Sequence, residues 1–160
     1  MSFYLPLIGL HYKNIKITET ITALWSGCGE IVRCRLDGKV CVIKAISVPD
    51  HINHPRISQT EFAINRKRHS YEVEFYWYQY YASRLPSRAG ALRCFNAIEH
   101  EQHKVLVFAD FTECGFVNAK PIHTHVTAII KWLANFHAFH FQVKADGLWS
   151  QGGYWHLATR

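Results

Sequence analysis

One short segment, VCVIKAI at 40–46, constrains the fold more than any other part of the chain, because it places a lysine in an otherwise apolar strand. Period-two alternation puts Lys44 on one face together with Val40, Val42 and Ile46. A lysine on a buried face is costly unless an anion neutralises it. We therefore expect Lys44 to meet a carboxylate, a phosphate group or both.

The composition is that of one globular domain, or of one lobe of a larger one. The 160 residues are 49% hydrophobic and 19% charged, and no apolar run approaches the ~18 residues that a membrane span needs. The first residues lack the basic segment and the cleavage site of a signal peptide, which predicts a cytoplasmic protein without membrane partners. Five cysteines without a CxxC pair predict reduced, buried thiols.

Charge and histidine content suggest two further functions, and the sequence favours neither. The net charge is +6, but the densest basic cluster, 66–69, lies at the start of a predicted helix, where a solvated face is expected and not a nucleic-acid site. Among the 11 histidines, His137 and His140 have helical spacing and could ligate one metal. We favour packed core histidines there and predict no metal site.

The first half of the chain is predicted to form three strands. Residues 20–25 are β-branched and apolar, and the glycines of Ser26-Gly-Cys-Gly29 then break the pattern. A strand at 30–36 follows, and Asp37-Gly38 is a strong hairpin signal before the lysine strand.

Two registers are open for this hairpin. A strict two-residue turn pairs Cys34 with Cys41 and sets Arg33 opposite Val42. A pairing shifted by one residue exchanges the faces and sets Val32, Cys34 and Leu36 beside the face of Lys44. We favour the shifted register, through a longer turn or a bulge, because it separates apolar from charged side chains.

The second half alternates helices and strands. We expect a loop at 47–58, a long helix at 60–85 closed by Pro86, strands at 92–99 and 104–109, and a second long helix at 121–141. That last helix is apolar almost all round, so we expect other elements to wrap it. The predicted fold class is α+β, a mainly antiparallel five-stranded sheet crossed by a helix and leading into a helical region.

The helix at 60–85 offers a partner for Lys44. Its apolar stripe runs at spacings of three and four through Tyr71, Phe75, Tyr78, Ala82 and Leu85. At ~100° per residue, Glu74 lies about 60° from the centre of this stripe and Glu72 about 100° away on the other flank. Glu74 is therefore the better candidate for a half-buried ion pair.

The order of these features is typical of ATP-binding enzymes. Glycines at 27 and 29 allow backbone N–H groups to approach phosphate oxygens. A glycine turn followed by a hairpin, a lysine strand and a glutamate helix is the arrangement by which protein-kinase-like enzymes hold ATP.

On these features and six matching stretches, the chain resembles the N-terminal part of the aminoglycoside phosphotransferase and choline kinase-like superfamily, and most closely its ecdysteroid kinase-like branch and bacterial relatives. The stretches are 24–34, 42–44, 70–78, 105–111 with 115–116, 132–138, and 147–149 with 153–160. The resemblance implies a protein-kinase-like nucleotide-binding N-lobe at 1–109, a hinge at 110–120 and the start of a truncated C-lobe at 121–160.

The resemblance also implies roles for individual residues. Lys44 would pair with Glu74 and with the α- and β-phosphates of ATP, beside Val42, and Gly27 and Gly29 would lie over the phosphates. The hinge strand would hydrogen-bond adenine through its backbone, over Phe108, Ala109, Asp110 and Phe111. The family often has Glu-Asp where this chain has Ala109-Asp110, so no side-chain role is expected at 109.

One departure from the family concerns catalysis. The sequence contains no His-Gly-Asp, so the catalytic loop and the Mg²⁺ ligands would lie beyond Arg160. We expect the ATP-binding portion of a small-molecule phosphotransferase, inactive alone, whose parent reaction transfers the γ-phosphate to the hydroxyl of an unknown acceptor. The alternative is a non-catalytic interaction module that self-associates through the helix at 121–141.

Overall fold

Five antiparallel strands form the centre of the structure, a computed structural model that describes residues 2–50 and 60–150. The strands are β1 (Ile15–Ala23), β2 (Gly29–Leu36), β3 (Lys39–Ser47), β4 (Cys94–His100) and β5 (His103–Ala109). Their order across the sheet is β1-β2-β3-β5-β4, so the lysine strand β3 is central. The α+β class and the five-stranded antiparallel sheet expected from the sequence are confirmed.

Two expectations fall outside the described residues. Most of the loop predicted at 47–58, with the pair His51 and His54, belongs to the gap at 51–59. The end of the last matching stretch, 153–160, is likewise outside them.

Within the described residues, three α-helices accompany the sheet: α1 (Tyr4–Gly9), α2 (Glu61–Tyr80) and α3 (His123–His140). Helix α2 ends five residues earlier than predicted, and a 3₁₀ turn, Ala82–Arg84, takes its place. Leu85 is extended, as a residue before proline prefers, so the α-helix cannot run up to Pro86. No helix in the described ranges has both the length and the apolar content that crossing a membrane requires.

Strand β1 also differs from its predicted bounds, since it starts at Ile15 and ends at Ala23, whereas 20–25 was expected. Trp25 lies in a 3₁₀ turn, Trp25–Gly27, and not in the strand. The earlier start follows from packing, because the partly buried Ile15 and Ile17 contact the core beside α1.

The register favoured for the β2–β3 hairpin was wrong. Cys34 pairs with Cys41 and Arg33 lies opposite Val42, as a strict two-residue turn requires. Asp37 and Gly38 form that turn with positive φ angles of 47° and 87°, the conformation typical of an Asp-Gly hairpin. The turn therefore determines the register, and no bulge interrupts the pairing from 29 to 46.

The shifted register rested on the assumption that only one face of the hairpin is buried, whereas α1 covers the opposite face. Helix α1 places Tyr4, Leu7 and Ile8 against alternate residues of the central strands in one apolar cluster. The strand residues of this cluster are Val32, Cys34, Leu36, Cys41, Ile43, Ala45, Ile98, Val105 and Val107. With both faces covered, an apolar residue is favourable at nearly every position of β3.

The other face of the sheet packs against α2. Val42, Leu106 and Phe108 form one cluster with Phe75, and Ile46 joins a second cluster with Tyr71. Tyr71 and Phe75 are both buried, as the apolar stripe predicted. Lys44 lies on this face between the two clusters, opposite Leu106 of β5.

Helix α3 has no buried residue within the described part of the chain, although its apolar surface predicts that other elements wrap it. Its contacts there include a hydrogen bond from Trp132 Nε1 to the Gly90 carbonyl at 2.9 Å and the ring of Phe136 6.4 Å from that of Trp77. Large apolar side chains remain exposed along it, among them Val126, Ile129, Ile130 and Leu133.

The packing of α1 gives a direct test of the two-sided sheet. We expect Ile8→Ala to lower the free energy of unfolding by about 3 kcal/mol, because it leaves a cavity in a buried cluster. Leu10→Ala is the matched control, since Leu10 is 78% exposed whereas Ile8 is 0% exposed. Urea unfolding followed by circular dichroism measures both, and equal stability of the two variants would contradict the burial of this face.

Candidate functional site

An ion pair between β3 and α2 lies at the centre of the candidate site. Lys44 Nζ is 2.5 Å from Glu74 Oε1 and 2.6 Å from Oε2. The two side chains are only 17% and 30% exposed, so water screens the pair incompletely. The expected pair of Lys44 with Glu74 is thus present.

The sequence of α2 explains why Glu74 and not Glu72 reaches the lysine. Thr60 caps the helix by accepting a hydrogen bond from the Ala63 N–H at 3.3 Å. The buried Tyr71 and Phe75 then turn one face of the helix to the sheet. Glu74 lies at the edge of this face, whereas the exposed Glu72 has its carboxylate 3.4 Å from His69 Nδ1.

A cavity of about 600 Å³ opens beside the ion pair, between α2 and the turn that precedes β2. Lys44, Tyr71 and Glu74 form part of its wall. Leu24 and Trp25 line it on the side of the turn that precedes β2. Its lining combines aromatic rings with two lysines and one carboxylate, so it suits an anionic ligand with an apolar portion.

The segment after α3 brings a second tryptophan to this cavity. The Tyr81 hydroxyl donates a hydrogen bond to the Asp146 carbonyl at 2.8 Å, which holds the segment against the end of α2. Trp149 then packs edge-on against His69, with ring centres 4.4 Å apart, and lines the cavity. The sequence predicts no regular structure here, and no local pattern indicates this contact.

Lys67 is a site residue that the sequence analysis missed. It belongs to the basic cluster interpreted as a solvated face, but its half-buried side chain lines the cavity. Its ammonium group lies 4.8 Å from the centre of the Tyr71 ring, and that of Lys44 lies 5.4 Å from the same ring. The available signal was spacing, because positions 67, 71 and 74 share one helix face.

The two glycines of the turn have different surroundings. Gly27 has φ of +69° and open space where a Cβ would be, whereas Gly29 has φ of +126° and a Cβ there would overlap the Ala45 carbonyl oxygen. Gly29 is therefore needed for close packing of β2 on β3. Gly27 alone leaves backbone free for a ligand to approach.

The predicted hinge residues lie at the end of β5. Phe108 is opposite Val42 and shares the α2 face with it, and the Tyr78 ring packs edge-on against Phe108 at 4.7 Å. The Ala109 N–H donates to the Arg93 carbonyl at 2.8 Å. In the described part of the chain the Phe111 N–H has no hydrogen-bond partner.

The side chain of Asp110 has a structural function. Its buried carboxylate accepts from Arg33 Nε at 2.5 Å and from the Thr112 N–H at 2.8 Å. Arg33 also pairs with Glu19, which explains how an arginine is accommodated on the same face as Val42. Burial opposes ionisation of Asp110, but the hydrogen bonds from Thr112 and Arg33 outweigh it and hold its pKa below the ordinary value.

The histidine and carboxylate residues do not come together as a metal site within 2–50 and 60–150. No cluster of three or more histidine, cysteine or acidic side chains is found in these ranges. His140 instead packs against the Phe136 ring at 4.6 Å. None of the five cysteines, all of which lie in the described ranges, forms a disulfide; Cys28, Cys34 and Cys41 are buried, whereas Cys94 is half-buried and Cys114 is exposed, unlike the buried thiols predicted for all five.

The glycine turn supplies a matched pair of variants. We expect Gly29→Ala to lower the free energy of unfolding by at least about 2 kcal/mol, because the methyl group overlaps backbone. Gly27→Ala meets no atom, so its cost is about 1 kcal/mol from the left-handed conformation alone. Urea denaturation compares them, and a Gly27→Ala variant less stable than Gly29→Ala would contradict this geometry.

The carboxylate of Asp110 predicts a pH dependence of stability. Its pKa is depressed in the folded state, so the contribution is present above the unfolded value of ~3.9 and is lost as pH falls through the folded pKa. We expect Asp110→Asn to lower the free energy of unfolding by about 2 kcal/mol at pH 7. Urea titrations at pH 7 and pH 3 should give a smaller difference at pH 3, and a constant difference would contradict the assignment.

Neither models of known protein families nor curated proteins match this chain. The chemistry of the site therefore follows from its geometry. A half-buried lysine held by a glutamate, a second lysine, and Leu24 and Trp25 at the start of the glycine turn line one cavity, and its two lysines can bind an anion.

Proposed function

We propose that this chain is the nucleotide-binding part of a small-molecule kinase-like phosphotransferase, an enzyme that transfers the ATP γ-phosphate to an acceptor hydroxyl. In this proposal the sheet and α2 correspond to a protein-kinase-like N-lobe, and α3 begins the larger lobe. The acceptor is not identified by any residue of this chain. A cytoplasmic location belongs to the proposal, because ATP is available there and cysteines without disulfides are typical of that compartment.

The Lys44–Glu74 ion pair carries the proposal. Protein-kinase-like enzymes hold the ATP phosphates with a lysine of the third strand, and a glutamate of the following helix holds that lysine. Lys44 lies on β3 and Glu74 on α2, the next helix, with both carboxylate oxygens within 2.6 Å of Nζ. Glu74 would keep the ammonium group extended so that its remaining donor capacity faces the phosphates.

The glycine turn and the hinge supply complementary backbone groups. Gly27 is exposed, lacks a Cβ and belongs to the turn whose Trp25 lines the cavity, which suits approach of its backbone to a phosphate. The Phe111 N–H is a donor available to adenine, since it has no hydrogen bond to the residues at 2–50 and 60–150. Val42 and Phe108 would contribute the apolar surface under the base.

The chain's own residues bind and orient, and the chemical step is not assigned to them. Mg²⁺ would neutralise charge on the phosphates when bound, but Glu74 is already paired with Lys44, and Asp110 with Arg33 and Thr112. The described residues thus do not fit a Mg²⁺ site. Neither carboxylate is assigned a role in holding the metal.

Helix α3 favours a second candidate function, a non-catalytic interaction module. Val126, Ile129, Ile130 and Leu133 are each more than 40% exposed in the described structure, so an apolar strip is available for association with another surface. In this case the same fold would bind a partner or a second copy of itself, and the cavity would have no nucleotide ligand.

Loss of the central lysine tests the nucleotide proposal. We expect Lys44→Met to weaken ATP binding at least about tenfold, because it removes a charge-assisted contact to phosphate. Lys16→Met is the control, since Lys16 is exposed and lies opposite Arg35, at the end of the sheet away from the glycine turn. Isothermal titration calorimetry gives the affinities, and circular dichroism checks that each variant is folded.

Two outcomes would contradict the proposal. Equal ATP affinity in the wild type and in Lys44→Met would show that Lys44 does not contribute to ATP binding. No binding of ATP by the wild type at millimolar concentration, combined with a concentration-dependent oligomer in sedimentation analysis, would favour the interaction module.

A further inference from the structure

Lys67 differs from the other buried and half-buried lysines near the interface between the sheet and α2. Lys44 is paired with Glu74, and the buried Lys104 lies 2.5 Å from Glu99. Lys67 is also half-buried, but no carboxylate of the described residues lies within 4.0 Å of its ammonium group. A shielded cation without an anion is costly, so a ligand anion at this position would be favourable.

The orientation of Lys67 points to the same cavity that Lys44 lines. Its side chain passes Tyr71, whose ring centre is 4.8 Å from one ammonium group and 5.4 Å from the other. The favourable contact with the ring face holds the ammonium beside the cavity and does not neutralise its charge. Glu74 already accepts from Lys44 through both oxygens, so the cavity retains a net positive charge.

The neighbouring basic residues serve as a contrast. Arg68, next in sequence, points away from the cavity and pairs with Asp50 at 2.5 Å. The Ser70 hydroxyl donates to the Lys67 carbonyl at 2.8 Å, and this bond occupies a second polar group of the cavity wall. Lys67 is therefore the second cationic group that a ligand in this cavity would meet.

We infer that Lys67 is the second phosphate-binding cation of this cavity and holds the terminal phosphates of a nucleoside polyphosphate whose inner phosphates contact Lys44. This inference rests on the proposed nucleotide function and adds a specificity to it. Two separated cations favour a chain of two or three phosphates over a single one, so the site selects ATP over AMP.

Affinities for ATP, AMP and inorganic tripolyphosphate test the inference by isothermal titration calorimetry. We expect Lys67→Met to lower the affinities for ATP and tripolyphosphate at least about tenfold and to change the affinity for AMP by less than about twofold. Met is unbranched like lysine and has good helix propensity, so the variant should remain folded. Lys67→Arg should retain ATP binding, and Lys16→Met controls for the loss of one positive charge.

The outcomes separate this inference from the proposed function. Wild-type ATP affinity in Lys67→Met, together with a loss in Lys44→Met, would overturn the role of Lys67 and leave the nucleotide proposal standing. Binding of tripolyphosphate that depends on Lys67, without binding of ATP or AMP, would indicate a site for inorganic polyphosphate. It would overturn the proposal that the ligand is a nucleotide. An equal loss of ATP and AMP affinity in Lys67→Met would overturn the assigned specificity.

Discussion

The pairing of one half-buried charge organises much of this structure. Lys44 stands in the central strand of the sheet, where an unpaired ammonium group would be strongly unfavourable, and Glu74 supplies the compensating carboxylate. The glutamate belongs to α2, whose rotation on the sheet is set by the buried Tyr71 and Phe75, and the pair joins helix and sheet in that orientation. The same rotation turns Tyr71 and Lys67 toward the cavity, so the charge balance of the core and the shape of the candidate site have a common origin.

The sheet tolerates Lys44 and Arg33 on the α2 face because a carboxylate pairs with each of them. Arg33 lies beside Val42, a combination that the shifted hairpin register would have avoided. Asp110, the residue directly after β5, accepts from this arginine and closes the turn after β5 through Thr112. This side chain therefore joins the segment after β5 to β2. Its position depends on hydrogen bonding within the fold, whatever ligand the cavity takes.

Several parts of the candidate site could be predicted from the sequence because they depend on local geometry. Helical periodicity was sufficient to select Glu74 over Glu72, since both the stripe and the carboxylate lie on one helix. The Asp-Gly turn correctly predicted the β2–β3 hairpin. The predicted register was wrong, because it was chosen to separate apolar from charged side chains and not from the geometry of the turn. Lys67 was missed because a basic cluster at a helix start is usually solvated. In the folded chain Trp25 and Trp149 line the same cavity as Lys67, and this arrangement depends on segments far apart in sequence.

The sequence by itself determined the existence of the five strands and the two long helices and the choice of Glu74 as partner of Lys44, because strand alternation, turn chemistry and helix spacing act over a few residues. Tertiary structure decided which faces are buried and which groups meet across the chain. Helix α1 covers the second face of the sheet, and Ala45 makes a glycine necessary at 29. These outcomes depend on contacts between segments that are far apart in sequence, and local sequence patterns carry no information about such contacts. They are decided by close packing of the interior, which leaves room for one arrangement of these segments.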